Sequence, residues 1–218
     1  MKNLVKLLAS SILSGILISI GLTAYLFVLP MNKIVASLLF GFGLYATIIC
    51  RLFLYTGQVG FLLDNNKRFL VDLAIGLFGN ILGVIIIPFL MRLTRQKTFL
   101  YEQAKALIEV KQSDKWYSIL ILSIMCGVMI YLAVKLPQKT DSLVMKAIIS
   151  YVAVSIFILS GFEHCIANCG YYIYAKFFNA KSLLYIIIMI FGNAIGSIIL
   201  DIFFKLFSRL SRDEKSEE

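Results

Sequence analysis

The chain is short of the residues that carry most soluble chemistry. Only 15% of its 218 residues are charged, and it holds one histidine and one tryptophan. A lone histidine argues against a metal centre, because zinc sites gather three or four convergent ligands. The four cysteines (Cys50, Cys126, Cys165 and Cys169) all fall in apolar segments and form no Cys-x-x-Cys pair. Nothing in that spacing implies a disulfide framework, and buried, inert thiols are the better reading. Polar stretches are scarce too, so no second folded domain is expected.

What is present is hydrocarbon. The hydrophobic fraction is 60% and the mean hydropathy +0.90, well above a soluble domain. A membrane span takes roughly 20 apolar residues, so about six spans account for the chain. The start, Met1 to Lys6 followed by apolar residues to Leu29, superficially resembles a signal peptide. The apolar stretch is too long and lacks a small-residue cleavage site, so a retained first helix is expected. A net charge of +9 would suggest nucleic acid for a soluble chain. Here the basic residues sit in short loops and at helix ends, where they anchor to headgroups or draw anions to a pore mouth. No nucleic-acid partner follows. The two faces carry similar numbers of basic residues, so charge bias does not settle orientation.

The apolar segments run at about Leu4–Leu29, Lys33–Tyr55, Phe69–Leu93, Trp116–Leu136, Leu143–Phe178 and Ser182–Phe207. Between the third and fourth lies the one long polar loop, Thr94–Lys115. Its Tyr101–Val110 part has helical apolar spacing, as an interfacial helix would. The charged tail from Arg209, Ser211–Glu218 above all, is expected to be disordered. Asp72 and Asp201 stand at helical spacing from Arg68 and Lys205, where surface pairs form.

Two motifs recur in order. Phe53-Leu54-Tyr55-Thr56-Gly57 echoes Phe157-Ile158-Leu159-Ser160-Gly161, and Phe78-Gly79-Asn80-Ile81-Leu82-Gly83 echoes Phe191-Gly192-Asn193-Ala194-Ile195-Gly196. A single transmembrane domain of two repeats follows, about 4–93 and 116–208. With three spans in each, the second repeat enters the membrane inverted, a plan that places the site where discontinuous helices meet.

The fifth segment carries a polar knot, Ser160-Gly161-Phe162-Glu163-His164-Cys165-Ile166-Ala167-Asn168. Ionisable groups at that depth face a cavity or protein interior, and irregular backbone there must be buried in protein or line a watery path. A broken helix carrying His164 into a pore is therefore expected, with a structural histidine bridging helices as the plain alternative. Thr56-Gly57-Gln58 is a second break signal. Glu163 is read as a carboxylate tying down N–H groups at the break. Asn80 and Asn193 either hold broken-helix backbone or pack beside their glycines. Phe40 and Phe157 are core or gate.

The knot closely resembles the signature of the formate/nitrite transporter family, and Leu54-Tyr55-Thr56-Gly57-Gln58 and the two Gly-Asn-x-x-Gly motifs are similar to other family motifs. The resemblance covers nearly the whole chain. It implies an all-α, aquaporin-like protomer of six transmembrane helices with broken second and fifth helices. It further implies a homopentamer with a pore in each protomer, cytoplasmic termini in a bacterial inner membrane, and transport of formate, nitrite or hydrosulfide without a cofactor. By position, His164 resembles the central pore histidine, Thr56 the threonine facing it, and Lys111 a lysine that attracts anions. Phe40, Leu44 and Phe157 resemble the inner constriction; Leu54 and Tyr55 fall at the outer one. Gly57, Gln58, Gly161, Glu163, Asn168, Asn80 and Asn193 become structural residues of the broken helices. The sequence departs from the pattern at Gln58 and Gly127, where asparagine is usual, and at Phe53, where an acid is common. It also has little before the first helix, which argues against gating by an N-terminal segment.

The mechanism can be stated without the family. Taking an anion into a dry constriction costs on the order of 20 kcal/mol in the idealised Born limit, so protonation to the neutral acid is the cheaper route. A lysine can draw the anion in and favour proton uptake. Histidine can relay a proton because its charge change lies near physiological pH, and a dry setting favours its neutral form. Two other functions compete: a neutral-solute pore for water, glycerol or ammonia, and a metal site or membrane enzyme using Glu163, His164, Cys165 and Cys169.

Overall fold

The computed structural model describes residues 2–217, with side chains for 3–211, and the described residues are helical with no strand. Helix α1 spans Lys2–Val28 and α2 Lys33–Ile49. A short α3, Tyr55–Gln58, runs into a 3-10 segment, Val59–Asp64, before α4, Arg68–Met91. The polar loop forms α5, Lys97–Ser113, longer than its sequence spacing suggested. Then come α6 (Trp116–Lys135), a 3-10 turn (Leu136–Lys139), α7 (Leu143–Leu159), α8 (Cys165–Ala175) and α9 (Ala180–Glu217). The expected disordered tail instead continues α9 as far as Glu217; Glu218 lies outside the described residues. Asn32 starts α2 by accepting from the N–H groups of Ile34 and Val35, and Ser142 starts α7 by accepting from Met145, as short polar caps do.

Among the described residues four helical stretches are long and apolar enough to cross a membrane: Asn3–Val28, Arg68–Met91, Trp116–Lys139 and Ala180–Ser211. Two apolar helices, α2 and α7, are shorter. Helices α1 and α4 run parallel. The Asn80 amide donates to Ser11 O, and further along both helices Ser19 Oγ donates to Val84 O. Helices α6 and α9 repeat this, with Asn193 donating to Ser123 O and Ser197 to Gly127 O. Gly127 is required by that approach, because a Cβ there would run into the backbone oxygen of Asn193; Gly15 stands in the same relation to Asn80. The asparagine that the family pattern favours at 127 would not fit this backbone. Between the pairs, α2 crosses α7 in antiparallel sense, Phe40 against Phe157 and Tyr45 against Tyr151.

The breaks after α2 and α7 match hydrogen bond for hydrogen bond. Cys50, Arg51 and Leu52 donate to Ala46, Ile48 and Thr47; Ser160, Gly161 and Phe162 donate to Ile156, Ile158 and Phe157. This corrects the register of the first repeated motif. Its structural counterpart is not Phe157–Gly161 but Glu163–Ala167, so Phe53 answers Glu163, and Arg51 answers Gly161. Both turning residues have positive φ, 52° at Arg51 and 70° at Gly161. Glycine adopts that geometry freely, whereas a residue with a Cβ loses roughly 1 kcal/mol.

Asp201 pairs with Lys205 as its spacing suggests, but from a buried position. It is fully buried, accepts from the Tyr131 hydroxyl at 2.6 Å and meets Lys205 at 2.5 Å. Lys205 also reaches Asp64 at 2.5 Å, tying the 3-10 segment to α9. Among the described residues Arg68 and Asp72 form no ion pair.

Gly127→Ala should lower stability by about 1–3 kcal/mol through overpacking against Asn193, read as an earlier thermal transition in detergent. A wild-type transition would contradict the close α6–α9 approach.

Candidate functional site

Each break leaves backbone groups in apolar surroundings, and each is met by an asparagine from a neighbouring helix. Asn80 on α4 accepts from Tyr55 N at 2.8 Å and donates to Phe53 O at 2.9 Å. Asn193 on α9 accepts from Cys165 N at 3.0 Å and donates to Glu163 O at 2.8 Å. Both amides also donate to Ser11 or Ser123, so one side chain ties a break to two long helices. Buried polar groups need such partners.

His164 follows the second break in an extended conformation and caps α8, its Nδ1 accepting from Ala167 N at 3.1 Å. A nitrogen that accepts from a backbone N–H carries no proton, so the neutral ring holds its hydrogen on Nε2. That nitrogen lies 2.9 Å from Thr56 Oγ1, on the helix after the first break, and donates to it. The two breaks thus meet through one side-chain hydrogen bond. His164 and Thr56 are 2% and 1% exposed.

Phe157 stacks on the His164 ring, with centroids 6.0 Å apart and planes at 21°. Phe40 meets Phe157 edge-on at 5.8 Å, and Tyr25 meets Phe40 in turn at 6.2 Å. On one side of this cluster is a cavity of about 90 Å³ lined by Lys111, Tyr25, Phe157, His164 and Tyr171, among others. On the other is a cavity of about 610 Å³ bounded by Leu44, Leu54 and Gly57, with Gln58, Arg51 and Lys146 in its wall. Phe157 lines the smaller cavity with Lys111, Leu44 and Leu54 line the larger with Arg51, and Phe40 lines neither. Tyr55 lines neither cavity, and its hydroxyl donates to Ile190 O at 3.2 Å.

Among the described residues the Glu163 carboxylate takes no backbone N–H at the break, contrary to expectation. Its carboxylate holds Lys111 Nζ at 2.7 and 2.5 Å and accepts from Asn168 Nδ2 at 2.8 Å. The pair is largely buried, with side-chain exposures of 15% for Lys111 and 4% for Glu163. Lys111 lines the smaller cavity and Glu163 does not, so the cationic end of the pair faces the open space. Sequence spacing hid this pair because its members are 52 residues apart. Tyr25, Tyr171, Arg51 and Lys146 were also missed; only the corrected repeat register singles out Arg51. Among the described residues no three His, Cys, Asp or Glu side chains gather as a metal group.

A helical membrane protein with a buried polar pair between two opposed cavities has the layout of a transport protein. The chain belongs to the formate/nitrite transporter family, whose model matches residues 1–207. It is 26% identical over 172 residues to the formate channel FocB of Escherichia coli (strain K12), which is 71% of this chain and 61% of that protein. It is 27% identical over 187 residues to the formate channel FocA of the same strain, 77% of this chain and 65% of the relative. The chain therefore spans less than two thirds of these relatives' length. A pentameric formate channel with formate bound superposes with a TM-score of 0.79 at 25% identity, covering 97% of this chain and 98% of the other. A second structure, an ion channel of the same family, gives a TM-score of 0.83 at 17% identity, covering 95% and 91%, and speaks to the fold alone.

Lys111→Met should destabilise the fold by about 3 kcal/mol, because it strands a buried carboxylate. Adding Glu163→Gln should recover most of the loss. Equal unfolding midpoints for wild type and the single variant would show that the pair contributes nothing.

Proposed function

We propose that the chain forms a transmembrane channel for small monovalent anions of weak acids (formate, nitrite or hydrosulfide) that pass His164 as the neutral acid. The observation that carries this reading is the His164–Thr56 hydrogen bond, set between two cavities and flanked by apolar side chains. The architecture belongs to the same proposal: six crossings in two halves of opposite insertion. In support, the counterparts α2 and α7 run antiparallel while α1–α4 and α6–α9 repeat one packing. At about 1.5 Å per residue, the 17 residues of α2 or α7 fall short of a core about 30 Å thick. The breaks then lie within the membrane, and α3 or α8 completes each crossing.

An anion reaching the Phe40–Phe157 or Leu44–Leu54 wall would lose its water there, and taking up a proton from water at the cavity mouth removes most of that cost. The neutral acid needs one donor and one acceptor in transit. Thr56 accepts from His164 Nε2–H, which leaves the threonine hydroxyl proton to aim at the solute. With Nδ1 committed to capping α8, His164 acts as a fixed dipole rather than as a proton relay. Lys111, held by Glu163, presents its ammonium to anions on its own face. We further propose a homopentamer in a bacterial inner membrane with cytoplasmic termini, after the pentameric relative. The chain acts as a transporter, not as an enzyme.

In proteoliposomes, formate or nitrite uptake should saturate and rise as the outside pH falls. Thr56→Val and His164→Ala should each reduce uptake about tenfold or more while leaving its pH dependence in place, because the proton is taken up from water and not from either side chain. Glycerol-driven swelling indifferent to pH, with no acid-stimulated anion uptake, would favour the neutral-solute pore instead.

A further inference from the structure

The two corresponding turns carry different residues. Gly161 occupies the left-handed position of the second half with nothing within 4 Å of where its Cβ would be. Its counterpart is Arg51, held at φ 52° despite its Cβ. That arginine is exposed and stands in the wall of the 610 Å³ cavity that ends at Leu44 and Leu54. Lys146 and Asp141 share the wall, leaving an excess of one positive charge among the three. Among the described residues neither Arg51 nor Lys146 forms an ion pair. On the opposite face, Lys111 is held in an ion pair with Glu163. Of the two cavities, the one on the Arg51 side is therefore lined by cations outside any ion pair.

We infer that Arg51, helped by Lys146, forms a collecting site for small monovalent anions in the wide cavity, accelerating their arrival from that face. The inference rests on the proposed channel function and adds a site on the side away from Lys111. A guanidinium suits the task because it stays charged and offers a planar fork of donors to a carboxylate or nitrite. A cation in a low-dielectric funnel raises the local anion concentration and the on-rate, and salt screens the effect. Gln58, Gln138 and Thr140 line the same space and can hold a partly hydrated anion once it arrives.

The test uses Arg51→Gly, which suits the local backbone better than arginine and so removes charge without threatening the fold. Formate and nitrite uptake into proteoliposomes is compared at low and high ionic strength, the latter set with an impermeant salt. At low salt Arg51→Gly should be slower by about tenfold, the lower end of electrostatic steering. At high salt the two should converge, and Arg51→Lys should restore most of the low-salt rate. Wild-type flux in Arg51→Gly at low salt would overturn the inference, as would a deficit that salt does not close or that lysine does not repair. Wild type carrying neither anion would instead remove the channel reading, and this inference with it.

Discussion

A side-chain amide that joins the end of one helix to the start of the next is the interaction on which this structure depends. A buried backbone N–H or C=O needs a partner inside the protein, and the turn between two helices frees several at once. Asn80 and Asn193 answer that demand in the same way: carbonyl oxygen toward the N–H that restarts the helix, amide hydrogens toward the break and a neighbouring helix. Because each asparagine is itself anchored to Ser11 or Ser123, the breaks are positioned by the long helices rather than by their own flexibility. The close approach at Gly15 and Gly127 brings those helices near enough for the amides to reach.

Once the breaks are fixed, His164 and Thr56 have one way to meet. The imidazole is held at both nitrogens, by Ala167 N–H on one side and the Thr56 hydroxyl on the other. Its face is covered by Phe157, which Phe40 supports from the side. In the proposed passage this gives a solute one oriented hydroxyl in an otherwise apolar neck, which suits a neutral acid better than its anion. Charge sits outside the neck and unequally: a closed Lys111–Glu163 pair toward one cavity, an open Arg51 and Lys146 toward the other.

Much of this was legible in the chain. Apolar length marks the helices, the lone histidine in a polar knot marks the site, and the Gly-Asn-x-x-Gly repeats mark the two amides. The first motif was misaligned because Thr56-Gly57 and Ser160-Gly161 look alike, whereas the feature the halves share there is a left-handed turn that one fills with Arg51 and the other with Gly161. Residue identity masked a backbone equivalence. Glu163 was misread for another reason: its partner Lys111 arrives from α5, and no local spacing announces a contact between separate helices. Asp201 looked like a surface acid by spacing and is buried because Tyr131 and Lys205 satisfy it.

A single histidine makes the central claim open to direct measurement. Nitrogen NMR of the protein in lipid, with only histidine labelled, reports one ring, that of His164. The structure calls for a neutral imidazole with its proton on Nε2 and Nδ1 bare, and the Nε2 signal should move when formate or nitrite is added. A proton on Nδ1, or a ring spectrum indifferent to both anions at concentrations that saturate uptake, would contradict a solute passage beside His164 and Thr56.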